Sequence, residues 1–362
     1  MNGATPELTQ KYSRRANLSS NHFRQTSAGE LTLSSLGVGT YLGNVDETTD
    51  RLVAESIISS VASGGVNVID TAINYRQQRA ERSVGNALTQ LKRQGYDRGE
   101  LFLSTKNGYV PGDGAAGIRP SDLVQSLVAK GVVQPDEVVG GVHSMSPGFL
   151  QDQLNRSLVN LRSETVDLLY LHNAAEAQLA SVGGEEFTTR LREAFGFLEE
   201  MRGQGKIQWY GLATWSCFRV PPSKIKEYLS LEQIVALADE VGGTGHGFRF
   251  VQVPINLVMQ EVFTKPWQEV GGEAMTFMEA AEHFGIGVFA SVPLLQTKLF
   301  QGKVPQLPGL RTKAQRLLQF VRSIPSDALL APLVGHKQPE HVQENLELVF
   351  TDPLDKEEFS SL

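Results

Sequence analysis

The sequence predicts an α/β protein built as a (β/α)8 TIM barrel, with a short β-hairpin in front of it. Eight short aliphatic or β-branched runs alternate with helix-like segments from about residue 34 to the end of the 362-residue chain. Each run is followed at once by polar or turn residues, which is typical of a buried strand. Strict alternation is typical of βαβ units and a parallel sheet. The number of runs and the length favour the barrel, and a doubly wound open sheet is the alternative.

The strands are predicted from these apolar runs in chain order. A hairpin is expected where two short runs flank Ala28-Gly29, at residues 23–25 and 31–33. The eight barrel strands are expected at 33–38, 66–69, 101–105, 166–171, 207–214, 250–255, 286–290 and 328–334.

The helices between them are predicted from apolar residues at helical spacing and from start and stop signals. One begins near Asp50 and is stopped by Gly64-Gly65. Another begins at Ser146-Pro147, because proline is favoured at the first helical position. A further helix covers about 187–202, and the last begins near Pro339.

The chain is expected to form a single domain over residues 23–362, preceded by a polar N-terminal extension at 1–22. Residues 107–145 contain seven glycines and no clear strand. They are expected to form a long loop over the C-terminal rim of the barrel, with one short helix near 121–130. Long connections in compact domains are usually functional or mobile.

Composition excludes several classes of protein. A net charge of −7 and a pI near 5.6 argue against a nucleic-acid or anionic-membrane partner. A single cysteine, Cys217, excludes an internal disulfide and a CxxC metal or redox site, so no metal is expected. The N-terminus lacks the apolar core of a signal peptide, and no run approaches the ~18 apolar residues of a membrane span. These features predict a cytoplasmic protein.

Four residues capable of proton chemistry follow three successive predicted strands: Asp70, Tyr75, Lys106 and His172. Side chains at the C-terminal ends of parallel strands converge, and α/β barrels place their chemistry there. A tyrosine is a poor acid at neutral pH, since its unperturbed pKa is about 10. An ammonium lowers this pKa, and a carboxylate holds the ammonium in place, so Lys106 and Asp70 are expected to make Tyr75 a general acid or base. His172 is expected to hydrogen-bond the same substrate oxygen.

This group of residues polarises a C=O bond but has no electron source, so hydride must come from a bound cofactor. Each residue also has a plain structural interpretation: an ion pair for the aspartate and lysine, packing for the tyrosine, and a satisfied core residue for the histidine. Agreement between three strand ends favours the chemical interpretation.

The residues around these positions resemble the motifs of the aldo-keto reductases. The resemblance extends from about Phe23 to Leu348, with the motifs in the order found in that family. It is carried by Gly65-Val66-Asn67-Val68-Ile69-Asp70-Thr71-Ala72-Ile73-Asn74-Tyr75 with Glu81 and Gly85, by Ser104-Thr105-Lys106, by Val166-Asp167-Leu168-Leu169-Tyr170-Leu171-His172-Asn173, and by Gly335-His336-Lys337 followed by Pro339-Glu340-His341 and Glu344-Asn345.

The resemblance implies a TIM barrel that reduces an aldehyde or ketone with NAD(P)H. The family's catalytic tetrad falls on the four residues named above without substitution. Gln252 matches the glutamine that bonds the nicotinamide amide. The adenine end of the cofactor is expected near His336, Lys337, His341, Glu344 and Asn345. NADP(H) is the expected cofactor and NAD(H) the alternative, because Lys337 offers a cation to a 2′-phosphate.

Two departures from the family's pattern affect the nicotinamide site. Thr214-Trp215 stands where the family often has Ser-Asn, so a hydroxyl is kept but an amide oxygen is lost. Ser291 stands where many members carry an aromatic residue, and Trp215 can supply an aromatic face instead. Tyr41 and Trp215 are the predicted walls of the substrate pocket, and Tyr109 and Trp267 are further candidates.

The expected partner is a small carbonyl or alcohol, with a monomer as the default state. Two other functions stay open at this point. One is a cofactor-binding regulatory or redox-sensing protein with little turnover, and the other is a cofactor-free lyase that uses Lys106 as a Schiff base. Borohydride trapping at Lys106 would favour the lyase, and turnover with aldehydes would favour the reductase.

Overall fold

The computed structural model describes residues 3–362 and contains a closed barrel of eight parallel strands. In chain order the strands are β1 Phe23–Gln25, β2 Thr32–Ser34, β3 Gly37–Gly39, β4 Val68–Asp70, β5 Phe102–Asn107, β6 Val166–His172, β7 Ile207–Ala213, β8 Phe248–Pro254, β9 Gln268–Val270, β10 Glu273–Met275, β11 Gly287–Ser291 and β12 Leu329–Val334.

The barrel runs from β3 through β8 and then through β11 to β12, which pairs with β3 and closes it. The short strands β1 and β2 form an antiparallel hairpin, and β9 and β10 form a second one outside the barrel. The predicted TIM barrel and N-terminal hairpin are confirmed. The open-sheet alternative is wrong, because β12 and β3 pair instead of leaving two edges.

Helices surround the barrel and alternate with its strands. They are α1 Pro6–Ser13, α2 Glu47–Ala62, α3 Arg79–Arg93, α4 Pro120–Ala129, α5 Pro147–Leu161, α6 Ala174–Val182, α7 Gly184–Gly203, α8 Leu231–Gly242, α9 Glu261–Thr264, α10 Phe277–His283, α11 Lys313–Arg322, α12 Pro339–Leu346 and α13 Lys356–Ser360. Short 3₁₀ helices lie at Arg98–Glu100, Pro135–Glu137, Leu295–Gln301 and Glu347–Phe350. None of the helices within residues 3–362 has the length and apolarity needed to cross a membrane.

Two predicted elements differ from the structure by more than a shift of their end residues. The run at 33–38 is split between β2 and β3, because the Ser34 hydroxyl donates to the Leu36 carbonyl at 2.8 Å and turns the chain. Such local side-chain bonds compete with the strand ladder. The region before 187–202 contains an additional helix, α6, which Gly183 separates from α7 with a φ of 84°.

The described part of the N-terminal extension packs against the barrel. The α1 residue Tyr12 is fully buried, and its hydroxyl donates to the Val61 carbonyl at 2.7 Å. Residues 1 and 2 lie outside the described part of the chain. The division at residue 22 stays a prediction.

The segment 107–145 contains α4 and packs with Phe149 of α5 in a small apolar cluster. The side chain of Gln153 on α5 holds the start of the segment, since it accepts from the Gly108 N–H at 2.7 Å and donates to the Tyr109 carbonyl at 2.6 Å. This places Tyr109 at the C-terminal mouth of the barrel. The cluster consists of Val110, Leu123, Leu127, Val133, Val138 and Phe149.

Alternate residues of the barrel strands face the interior, as the strand period of two requires. The lower interior is apolar and includes Phe102, Phe250 and Phe289, whose rings pack against one another. The strand residues between them face the surrounding helices and form the larger apolar core with those helices. Every second residue from these interior positions toward the C-terminal end of a strand therefore also faces the interior, and the last of them reach the C-terminal mouth of the barrel.

Candidate active site

Four polar side chains lie two or four residues beyond the apolar interior layer along their strands, so they face the interior as well. Lys106 lies four residues beyond Phe102, Gln252 two beyond Phe250, and Ser291 two beyond Phe289. His172 ends β6 four residues beyond the interior residue Leu168. The strand pattern therefore aims all of these side chains at the same space.

Asp70 and Lys106 form a buried ion pair at the centre of this polar layer. Lys106 Nζ lies 2.6 Å from Asp70 Oδ2 and also donates to the Thr71 carbonyl at 2.8 Å. The lysine side chain is 0% exposed and the aspartate side chain 5%. The second oxygen of Asp70 accepts from Ser104 Oγ at 2.8 Å and from Gln252 Nε2 at 3.0 Å. Every charge in the pair is thus compensated, as burial requires.

Tyr75 lies directly above this pair. Lys106 Nζ is 4.8 Å from the centroid of the Tyr75 ring, within the range of a cation–π contact. The ring also meets the Tyr41 ring edge-on, with centroids 4.9 Å apart, and the His172 ring at 5.7 Å. The Tyr75 hydroxyl makes no hydrogen bond with residues 3–362, so it is available to a ligand.

The pKa of Tyr75 is raised well above its ordinary value, by burial first and by the Asp70 carboxylate second. This is opposite to the direction expected from the sequence. The physical reason is that burial disfavours the charged phenolate, and the Asp70 carboxylate adds a negative charge beside the Lys106 ammonium. Burial also lowers the pKa of Lys106, and Asp70 offsets part of that effect.

His172 is neutral in this environment, since burial and then the Lys106 ammonium lower its pKa well below the ordinary value. Its Nδ1 atom is buried without a partner. Burying an N–H without an acceptor costs more free energy than burying a nitrogen lone pair without a donor, so we assign the proton to Nε2. The main chain here is held by His143, whose Nε2 donates to the His172 carbonyl at 2.9 Å.

These residues line a cavity of about 460 Å³ at the C-terminal mouth of the barrel. Its walls include the aromatic rings of Tyr41, Tyr109 and Trp215, and Trp215 is 44% exposed. Both predicted pocket walls are thus at the cavity, and Tyr109 joins them. Trp267 is not among the lining residues. Lys106 lies beneath the cavity and does not line it.

Three of the residues assigned to cofactor binding also line the cavity: Thr214, Gln252 and Ser291. The side-chain oxygen of Gln252 (Oε1) and the Ser291 hydroxyl make no hydrogen bond with residues 3–362. Thr214 Oγ1 makes one long bond, 3.4 Å, to the Gln252 main-chain carbonyl. Polar atoms without partners in a mainly apolar cavity fit a ligand that brings its own amide or hydroxyl groups.

The structure does not bring the remaining predicted cofactor residues into this cavity. His336 is buried, with Nε2 3.0 Å from Ser60 Oγ and Nδ1 3.2 Å from Asn345 Nδ2, so both ring nitrogens are engaged in joining α12 to α2. Glu344 accepts a hydrogen bond from Thr312. Lys337 is partly exposed and His341 exposed on the rim beyond Gly335, where the cavity ends. The buried Asn345 Oδ1 has no partner, an unsatisfied acceptor at this end.

Sequence reasoning missed a strained wall of the cavity. Val292, Leu295, Gln296 and Thr297 have φ between 45° and 68°, a region that costs energy for β-branched residues above all. Val292, Gln296 and Thr297 line the cavity. No glycine marks this stretch, so nothing in the sequence signalled it. Within residues 3–362, no group of three or more metal-ligating side chains is placed to hold a metal ion.

Comparison with known proteins identifies the family. A sequence model of the Aldo/keto reductase family matches residues 35–320. The chain is 24% identical over 214 residues to the uncharacterized oxidoreductase YqkF of Bacillus subtilis (strain 168), and 25% identical over 209 residues to the NADH-specific methylglyoxal reductase of Escherichia coli (strain K12). These matches cover 59% and 57% of this chain and 54% of each relative, so the chain spans about half of their length.

Solved structures share the fold at low sequence identity. The aldo-keto reductase AKR11C1 from Bacillus halodurans in its holo form matches with a TM-score of 0.62 and 19% identity over 95% of both chains. An aldo/keto reductase from Klebsiella pneumoniae in complex with NADP and acetate matches with a TM-score of 0.61 and 18% identity over 93% of both chains. Since the family model covers well over half of the residues, this chain belongs to the aldo/keto reductase family.

Proposed function

We propose that this protein is an NAD(P)H-dependent oxidoreductase that reduces an aldehyde or ketone to an alcohol. The observation that carries the proposal is the unpartnered Tyr75 hydroxyl, which faces a cavity directly above the buried Asp70–Lys106 pair and beside His172. A phenol and a neutral imidazole at one mouth provide two hydrogen-bond donors for one carbonyl oxygen.

Each residue then has a distinct role. Tyr75 donates its proton to the carbonyl oxygen as that oxygen becomes an alkoxide, and its raised pKa keeps the proton in place until then. His172 Nε2 donates a hydrogen bond to the same oxygen and orients it. Lys106, held by Asp70, places positive charge beneath the phenol and stabilises the phenolate that is left.

A nicotinamide cofactor would supply the hydride. Gln252, Thr214 and Ser291 are the residues placed to hold its polar ring end, since they line the cavity and carry free or weakly engaged polar atoms. A relative that is an NADH-specific reductase and a structural neighbour bound to NADP support nicotinamide use. We propose NADP(H), with Lys337 near the 2′-phosphate, and NAD(H) as the alternative.

The experiment pairs cofactor titration with turnover. NADPH and NADH are titrated separately by quenching of tryptophan fluorescence, and the variant Tyr75→Phe is then assayed with a panel of aldehydes. We expect Tyr75→Phe to lower kcat by about 10²–10⁴ while cofactor affinity stays within about twofold, because only the proton donor is lost. Tyr96→Phe is the matched control, since Tyr96 lies under Arg15 and away from the cavity. Parent-level reduction by Tyr75→Phe would refute the assignment.

The same assay distinguishes the other functions. Cofactor binding without turnover by the parent protein would favour a regulatory or redox-sensing role. The burial of Lys106 counts against a Schiff-base lyase, because its amine is bonded to Asp70 and Thr71 and does not line the cavity. We further propose a small carbonyl as the substrate and a monomer as the oligomeric state. We also propose a cytoplasmic location, which suits a chain whose one cysteine is free and buried.

A further inference from the structure

The turn that follows β7 is held by a carboxylate from another part of the chain. Three consecutive main-chain N–H groups converge on Glu176 Oε1: Trp215 at 2.8 Å, Ser216 at 2.6 Å and Cys217 at 3.1 Å. Successive N–H groups that point inward form a site for an anion. Here the anion is an internal side chain, so this turn is fixed by the protein itself.

Glu176 connects two of the loops that border the cavity, those that follow β6 and β7. It lies in the first turn of α6, which begins two residues after His172. The turn that it binds carries Trp215 onto the neighbouring part of the cavity wall, since β6 and β7 are adjacent strands. Hydrogen bonds to a charged acceptor are about twice as strong as those between neutral groups, and three of them meet at one oxygen here.

Trp215 depends on its main chain for its position. The residue is 44% exposed, so much of the ring lacks packing contacts and the main chain sets the direction in which the side chain leaves. From the other side, Arg219 Nη1 donates to the Trp215 carbonyl at 3.1 Å and is paired with Glu261 at 3.0 Å. The ring is therefore placed by two charged groups that hold the peptide units on either side of it.

We propose that Glu176 is a positioning residue that sets the Trp215 wall of the cavity, and through it the fit of the carbonyl substrate and the nicotinamide ring. The kinetic part of this inference rests on the proposed reductase function. The geometric part, that Glu176 fixes the Trp215 ring, does not depend on it.

The kinetic test is a cycle of Glu176→Gln, Trp215→Ala and the double variant. The glutamine keeps an oxygen for the three N–H groups but loses the charge. We expect Glu176→Gln to raise the KM for the aldehyde about tenfold with kcat changed by less than about threefold, and we expect the double variant to match Trp215→Ala alone. Glu185→Gln, at the exposed start of α7, is the matched control. Additive effects in the double variant, or an unchanged KM in Glu176→Gln, would overturn the proposal.

A spectroscopic test does not need turnover. The chain contains three tryptophans, and the difference in emission between the parent and Trp215→Phe isolates Trp215. We expect Glu176→Gln to increase acrylamide quenching of that component. Glu176→Asp, which keeps the charge but withdraws the oxygen by one methylene, is expected to do the same and replaces Glu176→Gln if that variant does not fold.

The two readouts separate the proposals. Increased quenching in a protein that reduces no aldehyde supports Glu176 as the positioning group and refutes the reductase function. Active enzyme whose Trp215 emission is unaffected by either substitution at Glu176 refutes the positioning role and leaves the reductase function standing.

Discussion

Removing Lys106 alone should destabilise the protein strongly, because it leaves a carboxylate buried without its counter-charge. Breaking one partner out of a buried pair costs about 3–5 kcal/mol. Asp70 keeps its bonds from Ser104 and Gln252. We therefore expect Lys106→Met to lower the free energy of unfolding by about 3 kcal/mol, at the low end of that range. This is a large fraction of the 5–15 kcal/mol by which a typical domain is stable.

Removing both charges should recover most of that stability but none of the activity. In the double variant Asp70→Asn with Lys106→Met, the asparagine oxygen still accepts from Ser104 and Gln252, and no charge remains buried. We expect the double variant to regain at least about 2 kcal/mol relative to Lys106→Met. Both variants should lose about 10²–10⁴ in kcat, because the group that stabilises the phenolate is absent.

The assay is urea unfolding at pH 7.5 followed by fluorescence, with reduction of an aldehyde measured on the same preparations. The thermodynamic cycle of the two single variants and the double gives the coupling between the charges. A loss of less than about 1 kcal/mol in Lys106→Met would show that the pair is exposed and worth what surface pairs are worth. Recovery of activity in the double variant would show that Lys106 has no part in the chemistry.

Three further predictions concern stability and selectivity. The free energy of unfolding should fall as the pH drops below about 6.5, because the unfolded chain binds protons before the buried histidines do. Burial lowers the pKa of His22 to about 3 and those of His143 and His336 to about 4, and it also lowers that of His172. Each contributes about 1.4 kcal/mol per pH unit until its folded pKa is reached. Urea midpoints at pH 7.5 and 5.0 test this, and equal midpoints would contradict it. An uncharged aromatic aldehyde should have a kcat/KM at least about tenfold above that of the same aldehyde with a para-carboxylate. The cavity lining within residues 3–362 includes Asp70 but no lysine or arginine that could pair with a carboxylate. Equal values of kcat/KM would contradict this. Thr297→Gly should raise the free energy of unfolding by about 1 kcal/mol, because Thr297 has a φ of 68°, which glycine adopts without strain. Thr297→Ala keeps a Cβ and should bring no such gain. Urea unfolding measures both, and a lower free energy of unfolding in the glycine variant would contradict the strain.

The barrel could be predicted because eight strand-like runs alternate with helix-like segments, and the convergence of the polar residues follows from the strand period of two. A run such as 101–105 shows where a strand ends, and the residue after it, Lys106, must face the same way as Phe102. Because parallel strands end at the same side of a barrel, Asp70, Lys106 and His172 are then expected at its C-terminal mouth from the sequence alone.

The rest depends on contacts between distant segments or on main-chain angles that the sequence does not signal. His336 is predicted to lie at the cofactor, but both of its ring nitrogens are engaged by Ser60 and Asn345, and Ser60 lies on a helix 276 residues earlier in the chain. The three successive left-handed residues after Tyr75 include no glycine, the usual marker of such a turn. They are Arg76, Gln77 and Gln78.

The segment after Tyr75 shows how this strain is held in place. Asp50 on α2 is paired with Arg76, 2.6 Å away, and with Arg79, so one carboxylate holds both ends of the left-handed turn. Arg76 is also bonded to Ser83 on α3 at 3.0 Å. Strained main chain persists only where surrounding contacts determine it, and these contacts lie immediately beside the proposed proton donor.

The charge balance at the site matches the protonation states that the proposed reduction requires. Burial disfavours the phenolate and the Asp70 carboxylate adds to this effect, so Tyr75 keeps its proton well above neutral pH. His172 is neutral because burial and then the Lys106 ammonium lower its pKa, and its single N–H is assigned to the nitrogen that can reach a ligand. Both groups therefore enter the reaction as donors, which is the state that a carbonyl requires and an alcohol does not. Under the proposed function, reduction starts from the protonation states that the site holds at neutral pH, whereas oxidation of an alcohol must first remove a proton from a buried phenol beside a carboxylate.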